Sequence, residues 1–125
     1  MGLVLLDSSV LIALLNPRDL HHDVAINSNS SGNQFIVSTI SITEIMPRAI
    51  KDGNAEAIWK ALIEMTHAIA DLGAELSMSA ARIRATTSLR TPDAIISATA
   101  QQRGAQLWTF DSKLAKATPG ARLLA

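Results

Sequence analysis

Leu3–Leu15 reads LVLLDSSVLIALL, and Asp7 is its one charged residue. The run GLVLL, Gly2–Leu6, is apolar without alternation, which predicts a strand buried on both faces. SSVLIALL then predicts a short helix that Asn16 and Pro17 end. Asp7 thus stands where a buried strand hands over to a helix. A carboxylate at such a junction is either a helix cap or part of a site.

The same alternation continues outward. A second helix is expected from Asp19 over Leu20 and Val24, until the cluster SNSSGN breaks it. QFIVS, Gln34–Ser38, reads as a strand, and a helix follows from near Ser41 to Asp52 and Gly53. NAEAIWKALIEMTH sets Ala55, Ile58, Trp59, Leu62 and Ile63 on one helical stripe. HAIADL, His67–Leu72, reads as a weaker strand, and Ala74 to about Leu89 as an Ala-rich helix. TPDAIISATAQQRGA opens with Thr-Pro and closes at Gly104, the start and stop signals of a helix. QLWTF, SKLAKA and ARLL complete the chain as strand, short helix and final strand. Strands alternating with helices predict an α/β fold, a parallel sheet with helices on both faces and right-handed crossovers. No linker or repeat divides residues 1–125, which are expected to form one domain.

Composition narrows the chemistry. The chain has no cysteine, which excludes disulfides, thiolate metal sites and a cysteine nucleophile. The N-terminus lacks a basic region before its apolar run and is not read as a signal peptide. No apolar run is long enough for a transmembrane helix, so the expected location is the cytoplasm. Trp59, Trp108, Phe35 and Phe110 are the only Trp, Tyr or Phe residues, which argues against an aromatic base-stacking platform. Formal net charge is zero, with 11 acids against 11 Lys and Arg.

Four of those acids recur at strand-to-helix junctions. Asp7 ends the first strand and Asp111 ends LWTF. Glu44 is expected in the first turn of the helix after FIVS, and Asp93 in the first turn of TPDAIISATA. In a parallel sheet these junctions lie along one edge, where ligands bind. Each acid also has a local explanation. Asp7 and Asp111 suit N-caps. Ser41 to Glu44 matches a capping box. Asp93 would gain from the positive end of its helix. Caps do not explain why acids gather at one rim. Two unit charges 4 Å apart repel by roughly 4 kcal/mol at an effective dielectric of 20, whereas a helix N-terminus offsets only about 0.3–1 kcal/mol. Convergence would require protonation or a cation. All-oxygen donors favour Mg²⁺ or Mn²⁺ over Zn²⁺.

With these four acids assigned to a cation, the remaining surface carries an excess of about four positive charges, seven acids facing eleven Lys and Arg. Arg48, Lys51, Arg82, Arg84, Arg90, Lys113 and Lys116 are candidates for contacts to a phosphodiester backbone. His21 and His22 are adjacent and do not share a helix face, so they are not read as a metal pair.

At LVLLDSSVLIALL, VSTISITEI and PDAIISATAQQRGAQLWTFDSKL the chain resembles a PIN-domain nuclease, specifically the toxin of a VapBC-type toxin–antitoxin pair. The family's four acidic positions correspond to Asp7, Glu44, Asp93 and Asp111, with Thr109 as the Thr of its late T-x-D motif. The resemblance implies four or five parallel strands and an endoribonuclease dependent on Mg²⁺ or Mn²⁺. It also implies a homodimer, silenced by an antitoxin. Ser8 and Thr109 would support the acids as orienting hydroxyls. Phe110 departs from the family pattern, in which that position is often polar or basic. Pro47 lacks a helical donor, so the helix carrying Glu44 is expected to start late or bend. The alternatives are a receiver-like signalling domain, a non-catalytic binding module and a housekeeping RNA-processing nuclease of the same family.

Overall fold

The structure, a computed structural model, describes residues 2–30 and 32–125. Met1 and Ser31, the latter part of the SNSSGN cluster, lie outside the described residues. In chain order the elements are β1 (Leu3–Leu6), α1 (Ser8–Leu15), α2 (His22–Ser28), β2 (Gln34–Ser38), α3 (Thr39–Lys51) and α4 (Ala55–Met65). They continue with β3 (Thr66–Ala70), α5 (Ala74–Thr86), α6 (Thr91–Arg103), β4 (Gln106–Thr109), α7 (Ser112–Ala117) and β5 (Arg122–Leu123).

The five strands form one parallel sheet in the order β3-β2-β1-β4-β5. Alternate residues of the central strands serve two cores, because strand side chains point to opposite faces. Leu5, Ile36 and Leu107 face α5, α6 and α7 through Leu76, Ala80, Ile96 and Leu114. Val4, Leu6, Val37 and Trp108 face the other helices through Val10, Leu11, Ile45 and Leu62. Helix α6 is buried from Ala94 through Ala100, which explains its nearly continuous small and apolar sequence. Its buried hydroxyls are paired, Thr99 with the Ile95 carbonyl at 2.6 Å and Thr118 with Ser97 at 2.7 Å. Among the described residues no helix is long and apolar enough to cross a membrane.

The expected α/β alternation is present throughout, with several boundaries displaced. Helix α2 begins at His22, since Asp19 accepts the His21 N–H at 2.9 Å and closes a turn before it. Strand β3 is Thr66–Ala70, following α4 without a loop. Helix α5 ends at Thr86, where the Thr87 hydroxyl takes the Ile83 carbonyl at 2.8 Å. Helix α3 starts at Thr39, with Ser38 as N-cap accepting the Ile40 N–H at 3.2 Å. The expected late start is thus corrected. The helix is assigned unbroken across Pro47, and the Thr43 carbonyl that loses its donor belongs to an exposed residue.

Candidate active site

In the order β3-β2-β1-β4-β5 the chain crosses from one side of β1 to the other between β3 and β4. The crevice beyond the carboxyl ends of β1 and β4 is therefore a switch point of the kind that holds ligands. Asp7 and Thr109 stand at those two ends. The Asp7 N–H donates to the Trp108 carbonyl at 3.2 Å, which ties it to β4. Its Oδ1 accepts from Val10 N at 2.9 Å, capping α1, and from Ser9 Oγ at 2.6 Å. Its Oδ2 accepts from Thr109 Oγ1, across 102 residues of chain. These donors fill three of about four acceptor positions on the carboxylate.

Thr109 Oγ1 also accepts from the Asp111 N–H at 3.0 Å, so one hydroxyl joins both acids. Asp111 caps α7, its Oδ1 accepting from Lys113 N at 2.9 Å and Leu114 N at 3.4 Å. Asp93 sits in the first turn of α6, where Pro92 suits the first helical positions. Glu44 reaches the rim from the exposed side of α3, and its Oε1 accepts from Ser8 Oγ at 2.6 Å. Ser8 Oγ is in turn 3.1 Å from the buried Ser41 Oγ. The capping-box reading of Ser41 and Glu44 is thus corrected. Ser38 caps the helix, which places Glu44 beyond the first turn and turns it toward α1.

The four carboxylates share one electrostatic field. Burial lifts the Asp7 carboxyl above the usual carboxylate range, against the pull of its Ser9, Thr109 and Val10 donors, and the Asp111 charge adds to the rise. Burial also lifts Asp93, with Asp111 next in effect. Arg90 opposes that rise, whereas the charges of Asp7 and Glu44 add to it. Among the described residues none of the four acids has a cationic side chain within ion-pair distance. The ion pairs are Arg48–Asp52 at 3.0 Å and Lys60–Glu64 at 3.9 Å.

A hard divalent cation suits this donor set, which is all oxygen and carries like charges without a counter-ion. As the side chains stand, no three His, Asp or Glu among the described residues are drawn together tightly enough to hold one. Glu44 is engaged by Ser8, and Asp111 by the backbone of α7.

Of the residues named from the sequence, hydrogen bonds join Asp7, Thr109 and Asp111, and Glu44 with Ser8, while Asp93 lies within their electrostatic reach; Ser9 was not named, and Ser41 was named only for a cap. The consecutive serines after Asp7 were the available signal for Ser9. Among the basic candidates, Arg48 is taken by Asp52, Lys113 Nζ by the Ser88 carbonyl at 3.0 Å and Arg84 by the Leu89 carbonyl at 3.4 Å. Lys51, Arg82, Arg90 and Lys116 are exposed, with no side-chain hydrogen bond among the described residues. The two histidines diverge as expected. His22 Nδ1 lies 2.6 Å from the Ala13 carbonyl, while the His21 ring stacks on Phe110. A groove of about 550 Å³ runs from Glu44 between α1, α3 and α4, past Ile12, Leu15, Arg18, Arg48 and Ile58.

A family model described as PIN domain matches residues 4–118. None of the curated proteins matches the chain. Among solved structures, a chain of a toxin–antitoxin complex from Klebsiella pneumoniae is 27% identical, with a TM-score of 0.79 over 95% of each chain. DNA-bound VapBC from Salmonella typhimurium is 22% identical, with a TM-score of 0.74 over 98% of this chain and 97% of that one. A sarcin-ricin loop cleaving toxin of Mycobacterium tuberculosis is 19% identical, with a TM-score of 0.72 over 91% of this chain and 94% of that one. The last two similarities concern the fold.

Proposed function

The chain belongs to the PIN domain family, and from that premise we propose that it is a metal-dependent endoribonuclease, the toxin of a VapBC-type pair. Residues 1–125 would act as one nuclease domain in the cytoplasm. The observation that carries this reading is the acidic rim at the switch point, where Thr109 joins Asp7 to Asp111 and, among the described residues, none of the four acids has a cationic side chain within ion-pair distance; of the nearby charges on Asp93, Asp111 raises its carboxyl most, and Asp7 and Glu44 add to that against Arg90. Repulsion of that kind is useful when a cation is to be held.

Asp7, Glu44, Asp93 and Asp111 would hold Mg²⁺ or Mn²⁺. When bound, such an ion acidifies water and neutralises charge building on a phosphoryl group. The chain supplies the rest. Val10 N, Ser9 and Thr109 fix the Asp7 carboxylate. Ser8 orients Glu44, and Thr109 joins Asp7 to Asp111. Ser8 and Thr109 both donate their protons to carboxylates, which suits orienting groups rather than nucleophiles. Hydrolysis then adds water across one P–O bond of RNA, and no covalent enzyme intermediate is required. The exposed Lys51, Arg82, Arg90 and Lys116 are available to the RNA backbone.

The Mycobacterium tuberculosis structure is of a sarcin-ricin loop cleaving toxin, and the Klebsiella pneumoniae structure is of a toxin–antitoxin complex. The first supports RNA as substrate and the second an antitoxin as partner, VapB-type in the DNA-bound VapBC from Salmonella typhimurium. The half-exposed Trp59 and Ile63 on α4, with the exposed Ile50 of α3, are compatible with a homodimer.

The test is cleavage of a mixed RNA pool by antitoxin-free protein in Mg²⁺, Mn²⁺ or EDTA, beside Asp7→Asn. Cleavage that needs both the metal and Asp7 is the expected result. Cleavage that persists in EDTA or in the variant would overturn the site.

A further inference from the structure

Phe110 is flanked in sequence by Thr109, which holds Asp7, and by Asp111. Its ring is partly buried and packs against the core that contains Leu6, Val10 and Trp108. The exposed His21 lies over it, with ring centroids 4.5 Å apart and planes inclined by 25°, a near-parallel stack. The chain therefore stacks two rings at the residue between Thr109 and Asp111, although its aromatic content argued against such a platform. Imidazole supplies the second ring.

The backbone on both sides of His21 is fixed. Its N–H donates to Asp19 Oδ1 at 2.9 Å, and its carbonyl accepts from Ala25 N at 3.0 Å. The neighbouring His22 is anchored to the Ala13 carbonyl. The His21 ring itself makes no hydrogen bond among the described residues, although the elements around it are well tied. A planar side chain, held in place and left exposed, has already met much of the ordering cost that a binding surface otherwise incurs on contact.

We propose that the His21–Phe110 stack is a nucleobase platform, on which one unpaired base beside the cleaved phosphodiester stacks. The inference rests on the ribonuclease reading above. Stacking tolerates any base to a degree, because each has a π face, and favours single-stranded RNA, whose bases can be splayed out. His21 would thus set which nucleotide is preferred next to the cut, while the carboxylates set where bond breaking occurs. Packing alone would explain a buried Phe110. It does not require an exposed imidazole laid parallel to the ring that separates Thr109 from Asp111.

The experiment compares wild type, His21→Ala and His21→Phe on a mixed single-stranded RNA pool in Mg²⁺, with the cut ends sequenced and rates taken at two salt concentrations. His21 is exposed, and its replacement leaves the core intact. His21→Ala should cleave on the order of 5- to 30-fold more slowly and relax the base preference at one position beside the cut. Its salt dependence should match wild type, because no phosphate contact is lost. His21→Phe should restore both rate and preference. Equal rates and an unchanged preference in His21→Ala would overturn the platform while leaving the nuclease standing. So would a uniform loss accompanied by a shallower salt slope. A wild type that cuts no RNA would overturn the ribonuclease reading itself, and the platform with it.

Discussion

Ser8 Oγ donates to Glu44 Oε1 at 2.6 Å, joining α1 to α3 across 36 residues of chain. The contact orients a proposed metal ligand through a neutral hydroxyl. Loss of such an outer partner typically costs about 10- to 100-fold in metal affinity or activity. Ser8→Ala should therefore weaken Mn²⁺ binding, read by titration calorimetry, and slow RNA cleavage by a similar factor. The metal-free melting temperature should fall modestly, because the buried Ser41 hydroxyl also loses its Ser8 partner while Glu44 is exposed. Unchanged Mn²⁺ affinity would make this contact incidental.

Asp7 links activity to stability in opposite directions. Its carboxyl is raised by burial, so the folded protein binds that proton more tightly than the unfolded chain does. The associated stability is fully present below the unfolded carboxylate pKa and is lost as pH rises through the raised folded value. Asp93 has the same sign. In metal-free buffer Asp7→Asn should thus melt higher than wild type at pH 7, and the gap should narrow as pH falls toward 4. Its cleavage should fall by more than about 100-fold, beyond the loss of an outer partner. A variant less stable than wild type at pH 7 would show that the Ser9, Thr109 and Val10 hydrogen bonds outweigh the burial cost.

Much of this was readable along the chain. Strands β1, β2 and β4 are short apolar runs, and α6 carries Pro92 at its start and Gly104 in a left-handed conformation at its end, so their positions follow from local chemistry. Asp7 and Asp111 are recognisable as junction acids because they do cap the helices that follow. The start of α3 was misread because Ser38 and Ser41 both suit a cap. Only the packing that buries Ser41 against α1 selects Ser38. The pairing of Thr109 with Asp7 and the stack of His21 on Phe110 join distant segments, and no local window carries them.

A cation held by the rim should stabilise the fold by mass action. At a free concentration 100 times its Kd the gain is about 2.7 kcal/mol. For a chain of this size that raises the melting temperature by roughly 8–14 °C. Adding Mn²⁺ to EDTA-treated protein should give such a shift, and Asp93→Asn should lose most of it. A shift of equal size in both proteins would place the ion elsewhere.

The N-cap serine of α3 and the glutamate of that helix can be separated by one pair of variants. Ser38→Ala removes the N-cap bond to Ile40 N and should cost about 1 kcal/mol. That corresponds to a melting temperature lower by about 3–5 °C, with the Mn²⁺ response intact because Ser38 touches none of the four acids. Glu44→Gln should do the converse. Its side chain is exposed and meets Ser8 rather than the helix end, so metal-free stability should stay within about 0.5 kcal/mol of wild type. Its Mn²⁺-induced shift should shrink, because a ligand charge has gone. Were Glu44 instead the partner in a capping box with Ser41, Glu44→Gln would lower the metal-free melting temperature and leave the Mn²⁺ response alone. Two thermal melts per variant, in EDTA and in Mn²⁺, decide whether that carboxylate serves the helix or the site.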